Sequence, residues 1–163
     1  MRATSTTSQT GCYRLRKGDP VDLRVSRRHG RIALSFVHEL GHLVDHQLGR
    51  DLGPSWASGA HDAFEDWRRA AKTLSSRLPA EIGRSRRRYF HSAKELWARS
   101  YAQTVLMRSG DSRLELHLQG LLEQNDIFVW PAAEFAAVAD EVDLVFERLA
   151  LLRRSAPAVA VAA

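Results

Sequence analysis

Apolar residues recur at helical spacing along most of this chain. Between Arg31 and Gln47 the positions Ile32, Phe36, Leu40, Leu43 and Val44 follow a 3.6-residue repeat, and Gly49 is expected to stop that helix. DLGPSWASG then reads as a loop. A second amphipathic helix is predicted over roughly 61–78, with Phe64, Trp67, Ala71 and Leu74 as its inner stripe. Pro79 and the arginine run after it break the pattern. The next helix is predicted over roughly 92–108. Ser92 suits its N-cap, and Glu95 three places on completes a capping-box pattern. Asp111 starts a short helix to about Gln124, Asn125-Asp126 turns the chain, and Pro131 opens a last helix to about Arg154.

Only between Cys12 and Val25 does the period change. Asp19-Pro20 reads as a turn between CYRLRKG and the alternating VDLRV, which predicts a small hairpin or edge strand. Residues 1–11 are polar and aperiodic and are expected to fray, and 155–163 form a low-complexity tail. The expectation is one mainly α (α+β) domain over 12–154 with a minor β element near its start.

Composition narrows the class without naming a function. A chain of 163 residues can bury a core without staples, and its single cysteine, Cys12, cannot form an internal disulfide. The first residues lack the apolar run of a secretory signal, and no segment approaches the roughly 20 apolar residues of a membrane helix. A cytoplasmic location is expected, although export by a dedicated machine is compatible with the same features. Net charge is +5 and the sequence pI about 10.0. Arginines supply most of it in two concentrations: Arg24, Arg27, Arg28 and Arg31, then Arg84, Arg86, Arg87 and Arg88. An excess of this size usually marks a solvated surface. A nucleic-acid-associated protein has only these arginines in its support, with no zinc-finger, KH or RRM signature beside them.

The segment SFVHELGHLVDHQLG carries the chemistry. It contains His38-Glu39-Leu40-Gly41-His42, and on a helix residues four apart share a face, so both imidazoles can point at one ion. Glu39 is rotated by about 100° from His38, which places it beside a metal rather than on it. There it can act as general base for a metal-activated water, while zinc polarises the scissile carbonyl. The rival reading is a helix that happens to carry two satisfied histidines.

A catalytic zinc site normally has three protein ligands. His46 lies about 12 Å along the helix axis from His38, too far for three rings to converge. The position six beyond His42 is Leu48, so a metzincin layout is not expected. About twenty residues past His42 stand Asp62 and Glu65, but the residue one turn after Glu65 is Arg69 instead of the carboxylate a thermolysin-like layout places there. Glu95 remains. Its neighbours one and two turns on include Ala98 and Ala102, and small residues facing Gly41 would let the two helices approach closely enough for a carboxylate to reach the ion. The capping box is the structural rival for the same residue.

HELGH followed at a distance by Y-x-x-S-x-x-E-x-x-A-R resembles the gluzincin zinc metallopeptidases, the branch that includes the anthrax lethal factor catalytic domain. It is still more similar to small phage- and mobile-element-associated metallopeptidase domains. The matching positions are His38, Glu39, Gly41, His42 and Asp45, then Tyr89, Ser92, Glu95, Ala98 and Arg99. The resemblance implies a zincin-like domain with an active-site helix and a third-ligand helix, in which Glu95 completes the zinc site and Tyr89 stabilises the oxyanion. A half-buried packing role is the alternative for Tyr89. Asp45 is either a partner for a ligand histidine or an exposed helix carboxylate. Trp56, Trp67, Trp97 and Trp130 are expected in the core or the cleft wall, and His46, His61, His91 and His117 carry no assigned role.

Three functions compete at this point. The first is zinc-dependent hydrolysis of peptide bonds, with a peptide or protein as substrate. The arginine clusters precede both motif segments and suggest acidic peptides, with Arg27 and Arg28 as candidate contacts. The second is a catalytically retired zincin-like binding or toxin-associated module, against which the intact Glu39 argues. The third is the basic nucleic-acid-associated protein. Only 37 residues precede the zinc motif, so the domain is either a minimal version, completed by oligomerisation, or part of a longer precursor.

Overall fold

A computed structural model describes residues 11–26, 30–53, 55–75, 78 and 82–155. It opens with strands β1 (Gly11–Arg16) and β2 (Asp19–Val25), paired antiparallel as a two-stranded sheet. The helices follow: α1 (Ile32–Leu52), α2 (Ala57–Ala60), α3 (Glu65–Ser75), α4 (Arg84–Phe90), α5 (Ala93–Arg108), α6 (Ser112–Glu123) and α7 (Ala132–Ser155), with a 3-10 turn at Asp62–Phe64 leading into α3. The class is mainly α with a small β element, as expected. Residues 1–10, Arg27, Arg28, Pro79 and the tail 156–163 lie outside the described residues.

The hairpin turns two residues earlier than Asp19-Pro20. Lys17 and Gly18 both have positive φ, at 53° and 86°. That conformation makes a tight two-residue turn whose twist matches the strands. Pro20 sits inside β2 opposite Leu15, next to a register irregularity between Arg14 and Leu15. A sheet of two strands has only edges, where a missing N–H is tolerated. So small a sheet is marginal alone, and both strands pack on α1.

Helix α1 runs past Gly49 to Leu52. Gly49 is buried within it, and the stop is Gly53, at φ 105°, whose N–H donates to the Gly49 carbonyl at 2.9 Å. The buried side of α1 is also not the stripe that apolar spacing predicts. Ile32 and Phe36 are each 48% exposed, whereas Leu34, Val37, Glu39, Gly41, His42 and Asp45 are buried. Hydrophobicity marks this face poorly because polar groups and glycine make up much of it.

Two apolar clusters meet across α5. One joins the predicted stripe Phe64, Trp67, Ala71 and Leu74 to Trp97 of α5 and to Val138, Val142 and Val145 of α7. The rings of Phe64 and Trp67 lie 4.8 Å and 5.2 Å from that of Trp97. The other cluster packs Leu34 and Val37 of α1 on Ala102 and Leu106 of α5 and on Leu118 and Leu121 of α6. Helices α3 and α6 match their predicted positions, α3 over a shorter span, and Asp111 caps α6 by accepting from the Arg113 N–H at 2.9 Å. Helices α2 and α4 were not expected. The first lies in the predicted loop. The second forms within the arginine run, because arginine is a good helix former and Phe90 gives it one buried anchor. The Gln103 amide fixes the entry to α7, donating to the Trp130 carbonyl at 2.7 Å and accepting from the Trp130 N–H at 2.8 Å. No described helix is long and apolar enough to cross a membrane.

The most extensive helix pairing is α1 on α5, and its closest point is Gly41. A Cβ there would stand 2.9 Å from Ala98 Cα and 3.3 Å from Ala98 O, inside van der Waals contact with backbone that cannot step aside. Small residues on both helices therefore set the spacing. Gly41→Ala is expected to destabilise the fold by about 1–3 kcal/mol through overpacking. Gly120→Ala on α6 meets nothing within 4 Å and should stabilise it by about 0.5–1 kcal/mol. Urea denaturation of the two variants checks both signs.

Candidate metal centre

Helix α1 supplies two imidazoles and the first turn of α5 supplies a carboxylate. His38 Nε2 is 3.5 Å from Glu95 Oε1, and His42 Nε2 is 3.5 Å from Glu95 Oε2. One ligand atom from each of the three residues lies within 4.8 Å of the others. Two ligands at tetrahedral angles on an ion about 2.0–2.1 Å away stand roughly 3.3 Å apart, so the imidazole–carboxylate distances are those of a metal site. The four-residue spacing of the histidines and the Gly41–Ala98 contact together produce this convergence.

Glu95 does not close a capping box. Ser92 caps α5 without a side-chain bond, and its hydroxyl donates to the Tyr89 carbonyl at 2.8 Å. The Glu95 side chain is fully buried instead, and among the described residues neither oxygen has a hydrogen-bond partner. Burial acts to raise its pKa. Interaction with His38, His42 and the Tyr89 hydroxyl outweighs burial and holds the carboxyl well below the usual carboxylate range. A buried, ionised carboxylate costs several kcal/mol unless it is compensated, and the groups that face this one are two imidazoles and a tyrosine hydroxyl. The three residues thus fit a metal ion and could hold one.

Glu39 lies on the same helix and is buried beside these three residues. Burial, with a contribution from the Glu95 charge, pushes its pKa up to about 7 against the opposing effects of His42 and the Tyr13 backbone N–H. Strand β1 presses on it: a Cβ on Gly11 would lie 2.6 Å from Glu39 Oε1. Tyr89 of α4 lines one cavity of about 190 Å³ with His38, Glu39 and Glu95. The ring is 49% exposed, yet burial and the nearby Glu95 carboxylate raise its hydroxyl well above the ordinary tyrosine range.

Asp45 is neither exposed nor bonded to a ligand histidine. It is fully buried, accepting from the Ser58 N–H at 2.7 Å and the Ser58 hydroxyl at 2.6 Å, and so ties α1 to α2. His42 Nδ1 is buried and has no partner among the described residues. His46 stays out of the site, with Nδ1 2.9 Å from the Tyr13 hydroxyl and its ring centred 5.3 Å from that of Trp56. His61 Nδ1 accepts from the Ala63 N–H at 3.2 Å. Trp56 also stands 6.0 Å from the His42 ring, while Trp67, Trp97 and Trp130 are core.

Arg99 was matched in the motif, but its burial was not anticipated. It is 2% exposed and lies between Phe90 and Trp130, with its guanidinium carbon 5.3 Å and 4.1 Å from the two rings, and Nη2 donates to the Ile127 carbonyl at 2.6 Å. Burial lowers its pKa to about 10, with Glu95 and Asp126 opposing the shift, so it stays cationic near neutrality. Its place one helical turn after Glu95 was the available signal. No family model matches the chain, and neither does any curated protein or solved structure.

Removing the Asp45 carboxylate leaves the buried Ser58 N–H and hydroxyl without their acceptor. Asp45→Ala should lower stability by about 1–3 kcal/mol, read as a drop in the thermal midpoint.

Proposed function

We propose that the protein is a zinc-dependent peptidase. The observation that carries this reading is a buried carboxylate faced at 3.5 Å by two imidazole nitrogens, with no hydrogen bond of normal geometry among the described residues, and flanked by the buried Glu39. His38, His42 and Glu95 would hold the ion, and nitrogen and oxygen donors of this kind suit zinc. A zinc ion held there supplies Lewis acidity towards a carbonyl oxygen and towards water.

The chain's own groups do the remaining work. Glu39 takes a proton from the attacking water and hands it to the leaving amine. Strand β1 and the Tyr13 N–H hold that carboxylate in place, so little reorganisation is needed as the proton moves. The Tyr89 hydroxyl, on the same cavity, donates to the oxygen that gains charge as the carbonyl is attacked. A high pKa suits that part, because the group must give a hydrogen bond without losing its proton. Glu39 also distinguishes this reading from a retired binding module, which has no chemical need for it.

Metal analysis and peptide cleavage test the proposal together. The chain should bind one zinc ion, and Glu95→Gln should weaken binding at least about tenfold. Glu39→Ala should keep the ion and lose about 10²–10⁴-fold in turnover. Tyr89→Phe should keep the ion and lose about 10²-fold in kcat with little change in KM. Equal turnover in wild type and Glu39→Ala would remove the proposed mechanism.

A further inference from the structure

The cavity beside the metal ligands is also lined by three arginines from three places in the fold: Arg31 before α1, Arg86 on α4 and Arg99 on α5. Their counter-charges are unequal. Arg31 Nε lies 2.7 Å from Asp126 Oδ2 and is paired. Arg99 is buried, its Nε has no hydrogen-bond partner among the described residues, and its Nη2 is bonded only to a neutral carbonyl. Arg86 stands over the Phe90 ring at 5.8 Å, with no carboxylate within ion-pair distance among the described residues. The carboxylates on the cavity wall are Glu39 and Glu95, which the peptidase reading assigns to proton transfer and to the ion. Among the described residues, then, neither Arg86 nor Arg99 has an anion to itself: Arg99 shares Glu95 and Asp126 with the ion and with Arg31, and a buried charge that is only partly compensated is costly.

The space is small. About 190 Å³ falls below the roughly 300–1,000 Å³ of small-molecule sites and suits a single side chain or chain end. Guanidinium groups match a carboxylate in geometry as well as charge, since their parallel N–H donors can engage both oxygens.

We propose that Arg86 and Arg99 form a carboxylate-binding subsite next to the metal centre, so that the peptide cleaved presents a carboxylate beside its scissile bond. The subsite takes its substrate from the peptidase reading, but its charge recognition can be measured separately. The carboxylate has two possible sources: an acidic side chain or the chain terminus.

Three ligands separate these sources: N-acetylglutamate amide, with a side-chain carboxylate only; N-acetylglutamine, with a terminal carboxylate only; and N-acetylglutamine amide, with neither. Each is titrated into the full chain, with and without zinc, and followed by heteronuclear NMR. At least one carboxylate ligand should bind about tenfold or more tightly than the neutral one, and Arg86→Gln should remove most of that advantage. Arg86 is exposed on its helix, so the substitution spares the core. Direct ligation of zinc by the ligand would be the same in both proteins and cancels in the comparison. Equal binding of all three ligands, no binding at all, or an advantage untouched by Arg86→Gln each overturns the subsite. Cleavage of matched peptides carrying glutamate or glutamine keeps the two readings apart. A carboxylate advantage in binding with no cleavage of any peptide counts against the peptidase alone. Cleavage indifferent to charge, with no advantage in binding, counts against the subsite alone.

Discussion

Helices α1 and α5 come so close at Gly41 and Ala98 that no methyl group fits between them, and that separation lets the Glu95 carboxylate of one helix reach the two imidazoles of the other. With a larger residue at either position the two helices would stand further apart, and the Glu95 carboxylate would lose its place between the imidazoles. Because the helices do meet, α5 is enclosed on several sides. Trp97 faces the aromatic cluster, Ala102 and Leu106 face α1 and α6, and Glu95, Arg99 and Gln103 fill what remains. A helix buried this completely shows no clear polar side, and its stability comes from tertiary packing more than from its own amphipathicity.

The polar interior is arranged in pairs that answer one another. Asp45 meets both donors of Ser58, Gln103 meets both backbone groups of Trp130, and Arg31 meets Asp126. Against this background four of the unanswered atoms among the described residues stand out: both oxygens of Glu95, Nδ1 of His42 and Nε of Arg99. Native interiors leave few polar atoms unpaired; others occur elsewhere in the described residues, on Trp67 and Thr104 for example, but these four belong to residues in or one turn from the His38, His42 and Glu95 cluster.

Much of this was legible in the chain. The stripe Phe64, Trp67, Ala71 and Leu74 was readable because every member is apolar and buried, and Asp111 and Pro131 mark their helix starts by local chemistry that tertiary structure does not override. The zinc-motif face of α1 was legible only through its histidines. Its apolar period pointed to Ile32 and Phe36, which are half exposed, because the truly buried side carries Gly41, His42 and Asp45. Glu95 had two readings in sequence that differ only in which way a side chain turns, and no local pattern decides that. The hairpin was placed two residues late because Asp-Pro is a strong turn signal, while Lys17 adopts positive φ without glycine's freedom. The roles of Arg99 and Ser58 depend on contacts between distant segments and have no local signature.

The contact between Gly11 and Glu39 has a consequence for how the centre is governed. The hairpin is the least substantial element of the fold, two short strands resting on one helix, yet its first residue lies directly over the carboxylate expected to move protons. Whatever lifts that strand exposes the carboxylate to solvent and relaxes the burial that raises its proton affinity. The proton affinity of a buried carboxylate is thus tied to how firmly a two-stranded hairpin rests on one helix.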